Sequence, residues 1–466
     1  MTKRRSVDEI SSSNIEPSTI AAYWGAQCIG SPTVEISGNE SLQTLLGVLS
    51  ATNAGFVLTD RADLKVAMSG TIHTESFDEF LSGCEAPTGG MSEVSKFENN
   101  DGVHNDSANE EASIVYTSGT TATAKGVVLT HGNFCFIAHA VADYLDLTED
   151  DRCALILPLC HTYGKSVLLS AFTVGAAVVV LDGFNNHKCL SQLTAERCTV
   201  LSAVPYHLHT LVKSGSLSKY DFSSIRAITS SADRLPISVI DGLMEALPKV
   251  QIFSMYGLTE STTRACYVPP EFLSLKKGSC GRPLRGVEIR IVTEDGADVP
   301  TGVSGEILLR GQNVMKGYFG DEELTKATIV DGWLKTGDIG HLDADGFLYI
   351  NGRNKDIIKC AGERISPTEI EAVLLGYDGI EEAAVVGRQN SLLGEMIHAY
   401  IATRDPALNI SDLREHCRAR LSPLKVPYQY TIVGSFPKTS TCKIQKRKLM
   451  DEPHHGGSGQ WSVFSG

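Results

Sequence analysis

Between Ser113 and Thr130 the chain gathers Thr117, Ser118, Gly119, Thr120, Thr121, Thr123 and Lys125 into one short stretch flanked by β-like runs. Hydroxyls and free backbone N–H groups in such a loop can wrap phosphate oxygens, and a lysine adds charge. The stretch is not a Walker A loop, because the Gly-x4-Gly-Lys spacing is not met and its exit reads as a strand rather than a helix. An ordinary Ser/Thr-rich surface turn has the same composition, so phosphate chemistry needs partners elsewhere in the chain. His161 lies in the run Leu157-Pro-Leu-Cys-His-Thr-Tyr-Gly164, where a satisfied core histidine is the common reading.

The elements that must position these residues follow from composition and patterning. At 466 residues the chain exceeds one ordinary core, which implies two or more domains. With 42% hydrophobic and 21% charged residues it reads as a globular protein. A net charge of -14, from 55 acidic against 41 basic residues, repels phosphate backbones and argues against general nucleic-acid binding. The most apolar stretch, 166–181, is too short to span a bilayer and reads as a buried helix-turn-strand. No apolar run follows the basic opening residues, so no secretory signal is expected. The twelve cysteines show no CxxC spacing, which fits reduced thiols in a cytoplasmic protein rather than zinc or disulfide staples.

Short apolar runs alternate with polar breaks over 15–80, including a helical pattern from Leu42 to Ala51 and a strand at 55–59. A polar, acidic loop is expected from about Gly89 to Ala112. Strand-like and helix-like runs then alternate to about Val292, as in a large, mostly parallel sheet system. From Val287 to Ile350 the pattern turns mainly β. Ser366-Pro-Thr-Glu369 has the signature of a capped helix start: Ser366 as cap, Pro367 in the first turn and Glu369 returning to the cap N–H. The predicted architecture is α/β: an N-terminal region over 1–352 with a β-subdomain, a hinge over 353–356, a small α/β C-terminal domain over 357–450 and a flexible tail over 451–466.

Five motifs in order give these elements a common meaning. The loop at 117–125, Tyr256-Gly-Leu-Thr-Glu260, Lys335-Thr-Gly-Asp338, Gly352-Arg353 through Lys359-Cys-Ala-Gly362, and Pro437-Lys-Thr-Ser-Thr-Cys-Lys443 together resemble the adenylate-forming superfamily, which includes acyl- and aryl-CoA synthetases, peptide-synthetase adenylation domains and luciferases. The resemblance covers 113–449 and is closest to acyl-CoA ligases. It implies a phosphate loop at 117–125, an adenine and magnesium segment with Tyr256, Gly257, Thr259 and Glu260, and a ribose site at Asp338. Arg353 would add a donor to ribose or phosphate. The resemblance further implies an adenine strand at Ser230, Ser231 and Ala232, a pivot at Lys355, a thiol tunnel formed by Lys359 and Gly362, and a catalytic lysine at Lys443. His161, Tyr163, Gly164, Ser230 and Met255 would line the acyl pocket. Members that activate α-amino acids usually carry an Asp where His161 stands, so an acid without an α-amine is expected.

The chemistry asks for such groups. Joining a carboxylate to the α-phosphate of ATP brings two anions together while pyrophosphate leaves, so cations and donors must surround the phosphorus. Lys443 has the charge and reach to bridge carboxylate and α-phosphate; Lys125 and the loop hydroxyls would hold the leaving phosphates. Glu260, with Thr259 beside it, offers a hard ligand for Mg²⁺. Three departures stand out. Ala122 and Ala124 occupy positions where the family's phosphate loop has Gly and Pro, Cys442 replaces the Gly before the catalytic lysine, and the stretch before the phosphate loop is shorter than the family's. The expected cofactors are ATP, Mg²⁺ and CoA or a carrier-protein phosphopantetheine. The expected partners are a small carboxylic acid with CoA, an acyl carrier protein or an amine as acceptor. A homodimer is compatible with the sequence, and a non-catalytic adenylate-binding scaffold is the rival reading.

Overall fold

The computed structural model describes residues 8–12, 17–28, 31–37, 40–52, 56–59, 62–68, 73–75, 107–117, 125–181, 187–390, 392–403, 405, 408–438, 444–451 and 462–465. Two seven-stranded sheets form the larger part of the protein. In the first, Thr33–Ser37, Asp8–Ser12, Phe56–Thr59 and His73–Glu75 run parallel. Glu111–Thr117 continues this parallel set, and Lys125–Thr130 then pairs antiparallel with it. In the second, five strands lie parallel in the spatial order Gln251–Tyr256, Ala227–Ser230, Val200–Ala203, Arg152–Leu155 and Ala177–Val180. The runs 200–203 and 227–230 are buried at every position, as strands covered on both faces must be.

The helical periodicity at 42–51 is realised as helix Leu42–Thr52, whose Leu45, Val48 and Leu49 meet Leu64 and Met68 over the first sheet. The apolar stretch at 166–181 is a helix, Thr162–Thr173, followed by the strand Ala177–Val180. Between 287 and 353 the chain forms the expected β-unit, whose strands Val287–Val292, Gly305–Gly311, Trp333–Leu342 and Leu348–Arg353 pair antiparallel. Beyond it, the hairpin of Ile380–Asn390 and Gly394–Thr403 packs with helices Pro367–Leu375 and Ile410–Arg418 around a core of its own, which runs from Ile358 to Tyr430. Within the stretch read as a flexible tail, Ser462–Ser465 is extended and pairs antiparallel with Gln429–Val433.

One local expectation is corrected. Ser366 does stand at the N-cap of helix Pro367–Leu375, but its side chain makes no capping bond. Its hydroxyl donates to the carbonyl of Asn351, as does that of Thr368 (2.6 Å), while Glu369 pairs with Lys425 at 2.7 Å. A carbonyl at the end of the β-unit competes successfully for the capping hydroxyl, and the helix start is tied to that unit instead of to itself.

Candidate active site

The polar groups of interest collect at the carboxyl ends of the parallel strands, where open α/β sheets hold their ligands. Strand Gln251–Tyr256 delivers Tyr256, which is buried, and the neighbouring β-unit delivers Asp338 on Trp333–Leu342. Asp338 and Arg353 are Cα partners on adjacent strands. The Tyr256 phenol donates to Asp338 Oδ2 at 2.6 Å, and Arg353 Nε meets Oδ1 at 3.1 Å. Burial, and then the Asp338 charge, hold the Tyr256 phenol well above its usual range, so it stays a donor. A carboxylate has about four lone-pair positions, and one contact on each oxygen leaves Asp338 able to accept two hydroxyls more.

A second cluster forms around Tyr318, a residue that no sequence signal marked. Strand Gly317–Tyr318 pairs with Lys125–Thr130, and the Tyr318 phenol donates to Glu260 Oε1 at 3.0 Å. Lys125 Nζ lies 5.3 Å from the Tyr318 ring centroid, within cation–π range. One aromatic ring therefore brings the cation and the carboxylate to the same place. Thr117 and Lys125 are Cα partners at the end of their strand pair, and Tyr318 is paired with Val127 two residues further on. Ser118, Gly119, Thr120 and Thr121 lie outside the described residues, as do Ala122, Thr123, Ala124, Cys442 and Lys443.

The backbone beside Glu260 is strained. Thr262 (φ 50°) and Thr263 (φ 72°) both occupy the left-handed region, rare for β-branched residues. The surroundings over-determine this turn. Thr262 Oγ1 donates to Asn313 O at 2.7 Å, Thr263 N to Leu258 O at 2.8 Å, and the buried Asn313 Nδ2 to Arg264 O at 2.9 Å. Gly257 completes the packing, because a Cβ there would overlap the Thr263 carbonyl. Ala232, at the end of the expected adenine strand, is also left-handed (φ 79°), while its neighbour Ser231 is buried.

Glu260 is the only candidate metal ligand from the sequence that the described site offers. No group of three or more His, Cys, Asp or Glu side chains that could hold a metal occurs among the described residues. This donor set suits Mg²⁺, which keeps several waters and binds through one or two carboxylates plus phosphate oxygens. Thr259 sits beside Glu260 in the same turn, and Thr262 N donates to its carbonyl at 3.0 Å.

On the strand next to that of Tyr256, Thr229 shares a 2.8 Å hydrogen bond with the buried Tyr163. Ser230 follows it, and its buried Oγ has no hydrogen-bond partner. Met255 receives a 3.1 Å bond from the Tyr144 phenol. Gly164 lets helix Thr162–Thr173 start hard against the preceding turn, because a Cβ there would overlap the Pro158 carbonyl. His161 stands at the N-cap of that helix. Burial, and then the Lys165 charge, push its pKa down to about 4.

The sign of the resulting pH dependence follows. The folded state favours neutral His161 below its ordinary value near 6.5, so the unfolded chain takes up the proton first. Its contribution to stability is complete above pH 6.5 and is lost as pH falls towards 4. We expect a loss of up to about 3 kcal/mol from this group over that window. His207, also pushed to about 4 by burial, adds a similar slope. Urea midpoints from pH 7 to 4 should therefore fall less steeply for His161→Gln than for the parent chain. Parallel curves would refute the assignment.

The structure does not bring the remaining candidates to this place. Lys355 lies in the exposed turn Asn354–Asp356, and the Lys359 backbone N–H donates to Glu395 at 2.6 Å. Ala361 (φ 50°) and Gly362 (φ 84°) form an exposed left-handed turn, and a Cβ on Gly362 would meet nothing within 4 Å. By contrast, Lys438, on the near flank of the 439–443 segment, reaches the N-terminal region. Its Nζ pairs with Glu382 at 2.7 Å and lies 4.4 Å from the Tyr206 ring centroid.

Comparison with known proteins shows the family. Residues 14–319 match the family described as AMP-binding enzyme, and 369–443 match the AMP-binding enzyme C-terminal domain. The chain is 32% identical over 423 residues to a 2-succinylbenzoate–CoA ligase of Bacillus subtilis (strain 168), covering 91% of this chain and 83% of the relative. It is 36% identical over 336 residues to an indoleacetate–CoA ligase of Aromatoleum aromaticum, covering 72% and 65%. Among solved structures, the o-succinylbenzoate CoA synthetase of Bacillus subtilis with its acyl-adenylate intermediate superposes with a TM-score of 0.85 at 30% identity, over 97% of this chain and 89% of that one. The same enzyme with ATP and magnesium gives 0.84 at 31% identity, over 96% and 89%.

Proposed function

Because the chain belongs to the AMP-binding enzyme family, we propose that it activates an aromatic carboxylic acid without an α-amine, 2-succinylbenzoate being the first candidate. The reaction class itself is that of an ATP-dependent, AMP-forming acid–thiol ligase. The carboxylate attacks the α-phosphate, pyrophosphate leaves, and the acyl group of the adenylate passes to the thiol of CoA. No described helix is long and apolar enough to cross a membrane. The cytoplasm, which supplies ATP and CoA, is where we place this work.

The observation that carries the acid class is the character of the acyl side. His161, Tyr163, Ser230 and Met255 offer a neutral imidazole, an aromatic face, a hydroxyl and a thioether, with no carboxylate to pair with an ammonium. Aromatic and thioether surfaces favour a ring.

In this reading Asp338 accepts the ribose hydroxyls, held in place by Tyr256 and Arg353. Ser231 and Ala232 border the adenine. Lys125, with the hydroxyls of the 117–121 loop, steadies the outgoing phosphates, and Glu260 orients the α-phosphate end. Glu260 would hold Mg²⁺, which when bound would neutralise phosphate charge that the protein's own cations do not reach. Lys443 bridges the two reacting anions. The C-terminal unit then turns about 353–356 and exchanges the Lys443 segment for the Gly362 turn, which guides the thiol. The contact of Lys438 with Tyr206 and the exposure of Gly362 support a docked adenylating arrangement that precedes this exchange.

The test is pyrophosphate release with ATP and Mg²⁺ across aryl, fatty and α-amino acids, with and without CoA. Release with aryl acids, followed by an acyl-CoA product, is the expected result. Release confined to α-amino acids or fatty acids would overturn the proposed acid class.

A further inference from the structure

Arg264 is among the most buried large side chains in the protein, at 1% exposure. It follows Glu260 by four residues, and the strained turn at Thr262 and Thr263 reverses the chain between them. The same loop thus holds Glu260 against the Tyr318 phenol and Arg264 against Tyr163, Met255 and Tyr144. There the guanidinium lies 5.0 Å from the Tyr163 ring centroid, and its Nη1 meets Met255 Sδ at 2.8 Å and the Tyr144 phenol. Its Nη2 and Nε reach Ser166 Oγ at 3.1 and 3.3 Å.

Every acceptor in that set is uncharged, and a thioether is a weak one. Burial pushes the Tyr144 phenol up to about 12 and raises that of Tyr163, so neither supplies a phenolate. No carboxylate among the described residues pairs with Arg264. A guanidinium removed from water is ordinarily matched by an anion, as Arg226 is by Asp151 at 2.7 Å elsewhere in this chain. The second observation is Ser230: its buried Oγ, also without a hydrogen-bond partner, ends the strand to which Tyr163 is bonded through Thr229. A cation short of counter-charge thus lies against the Tyr163 ring, and a hydroxyl short of a partner ends the strand to which that ring is tied.

We infer that Arg264 is the specificity-determining residue of the acyl pocket and pairs with a second anionic group on the acid, so that the substrate class is dicarboxylic. The inference rests on the reading of this pocket as the acyl side of the adenylating site. The carboxylate to be activated faces Glu260 and the phosphate loop; the second lies across the ring, where the planar fork of the guanidinium can take both of its oxygens. An acid without that second group leaves Arg264 desolvated and unpaired, and is rejected for that reason.

The test uses the full chain with ATP, Mg²⁺ and CoA, and compares kcat/KM for matched acids that differ only in the second carboxylate. 2-Succinylbenzoate against 4-oxo-4-phenylbutanoate is the first such pair. The parent chain is expected to prefer the diacid by about 100-fold or more. In Arg264→Gln that ratio collapses towards one; in Arg264→Lys, which keeps the charge and loses the fork, part of it returns. A merely structural arginine would lower both acids together and leave the ratio intact, and that outcome overturns the inference. The parent ratio tests it without any variant: comparable use of both acids, or acceptance of monoacids alone, overturns it. Either result, with an aryl-CoA product formed, leaves the proposed ligase reading standing. Activity confined to α-amino or fatty acids overturns both.

Discussion

Lys443→Ala is expected to lower the rate of adenylate formation by about 10²–10³-fold, the scale on which a single transition-state donor acts. The first half-reaction presses a carboxylate against a phosphate that is gaining coordination, and a mobile cation placed between them stabilises charge that exists only at that moment. The second half-reaction expels AMP from a thioester-forming centre and has no such pair of anions to join. Transfer to CoA from pre-made acyl-AMP should therefore change far less. Single-turnover measurements of the two halves separate these outcomes. An equal fall in both would mean that Lys443 serves folding or nucleotide binding. The residue precedes Ile444, whose backbone bridge to Lys438 ties both ends of the segment together. Lys438, which precedes the segment, lies against Tyr206 of the large region.

Asp338→Ala should have the largest effect on nucleotide affinity. It removes the acceptor for both ribose hydroxyls and raises KM for ATP by about 30–160-fold, two hydrogen bonds at about 1–1.5 kcal/mol each. It also leaves the buried Tyr256 phenol without its 2.6 Å acceptor, which costs about 1–3 kcal/mol of stability. The loss at Arg353 is smaller, because its side chain is 40% exposed and can turn to water. Asp338→Asn keeps the shape and one acceptor for Tyr256, so it should recover most of the stability while ATP binding stays weak. Isothermal ATP titration beside urea unfolding reads the two effects separately. Unchanged ATP affinity in both variants would remove Asp338 from the ribose site.

Much of the site could be read from residues before any fold was known. Lys125, Glu260, Asp338 and Arg353 are charged residues within ordered motifs, and the structure brings them into two clusters on either side of Tyr256 and Tyr318. Tyr318 itself gave no signal. An uncharged aromatic between a glycine and a phenylalanine at a strand end looks like packing, and its role exists only because strand Gly317–Tyr318 pairs with Lys125–Thr130 across the sheet edge. Arg264 was equally silent, since an arginine in a polar run resembles surface charge until the turn at Thr262 and Thr263 carries it inward. The misread cap at Ser366 has the same origin. Propensity names a hydroxyl that can cap, and the Asn351 carbonyl, fifteen residues away, decides where that hydroxyl donates.

The sequence by itself determined the reaction chemistry and the order of its parts. Residue type sets charge, reach and hydrogen-bonding capacity, and periodicities of two and 3.6 residues set strand and helix. Short, mostly apolar runs such as 200–203 are consistent with strands buried on both faces. Only the tertiary structure decided which distant groups share one space: Tyr256 with Asp338 over 82 residues, Tyr318 with Glu260 over 58, and Arg264 with Tyr144 over 120. Those pairings depend on strand register and on two strained threonines held by a buried asparagine. Local sequence carries the cost of such a turn, while the contacts that offset it come from elsewhere in the chain.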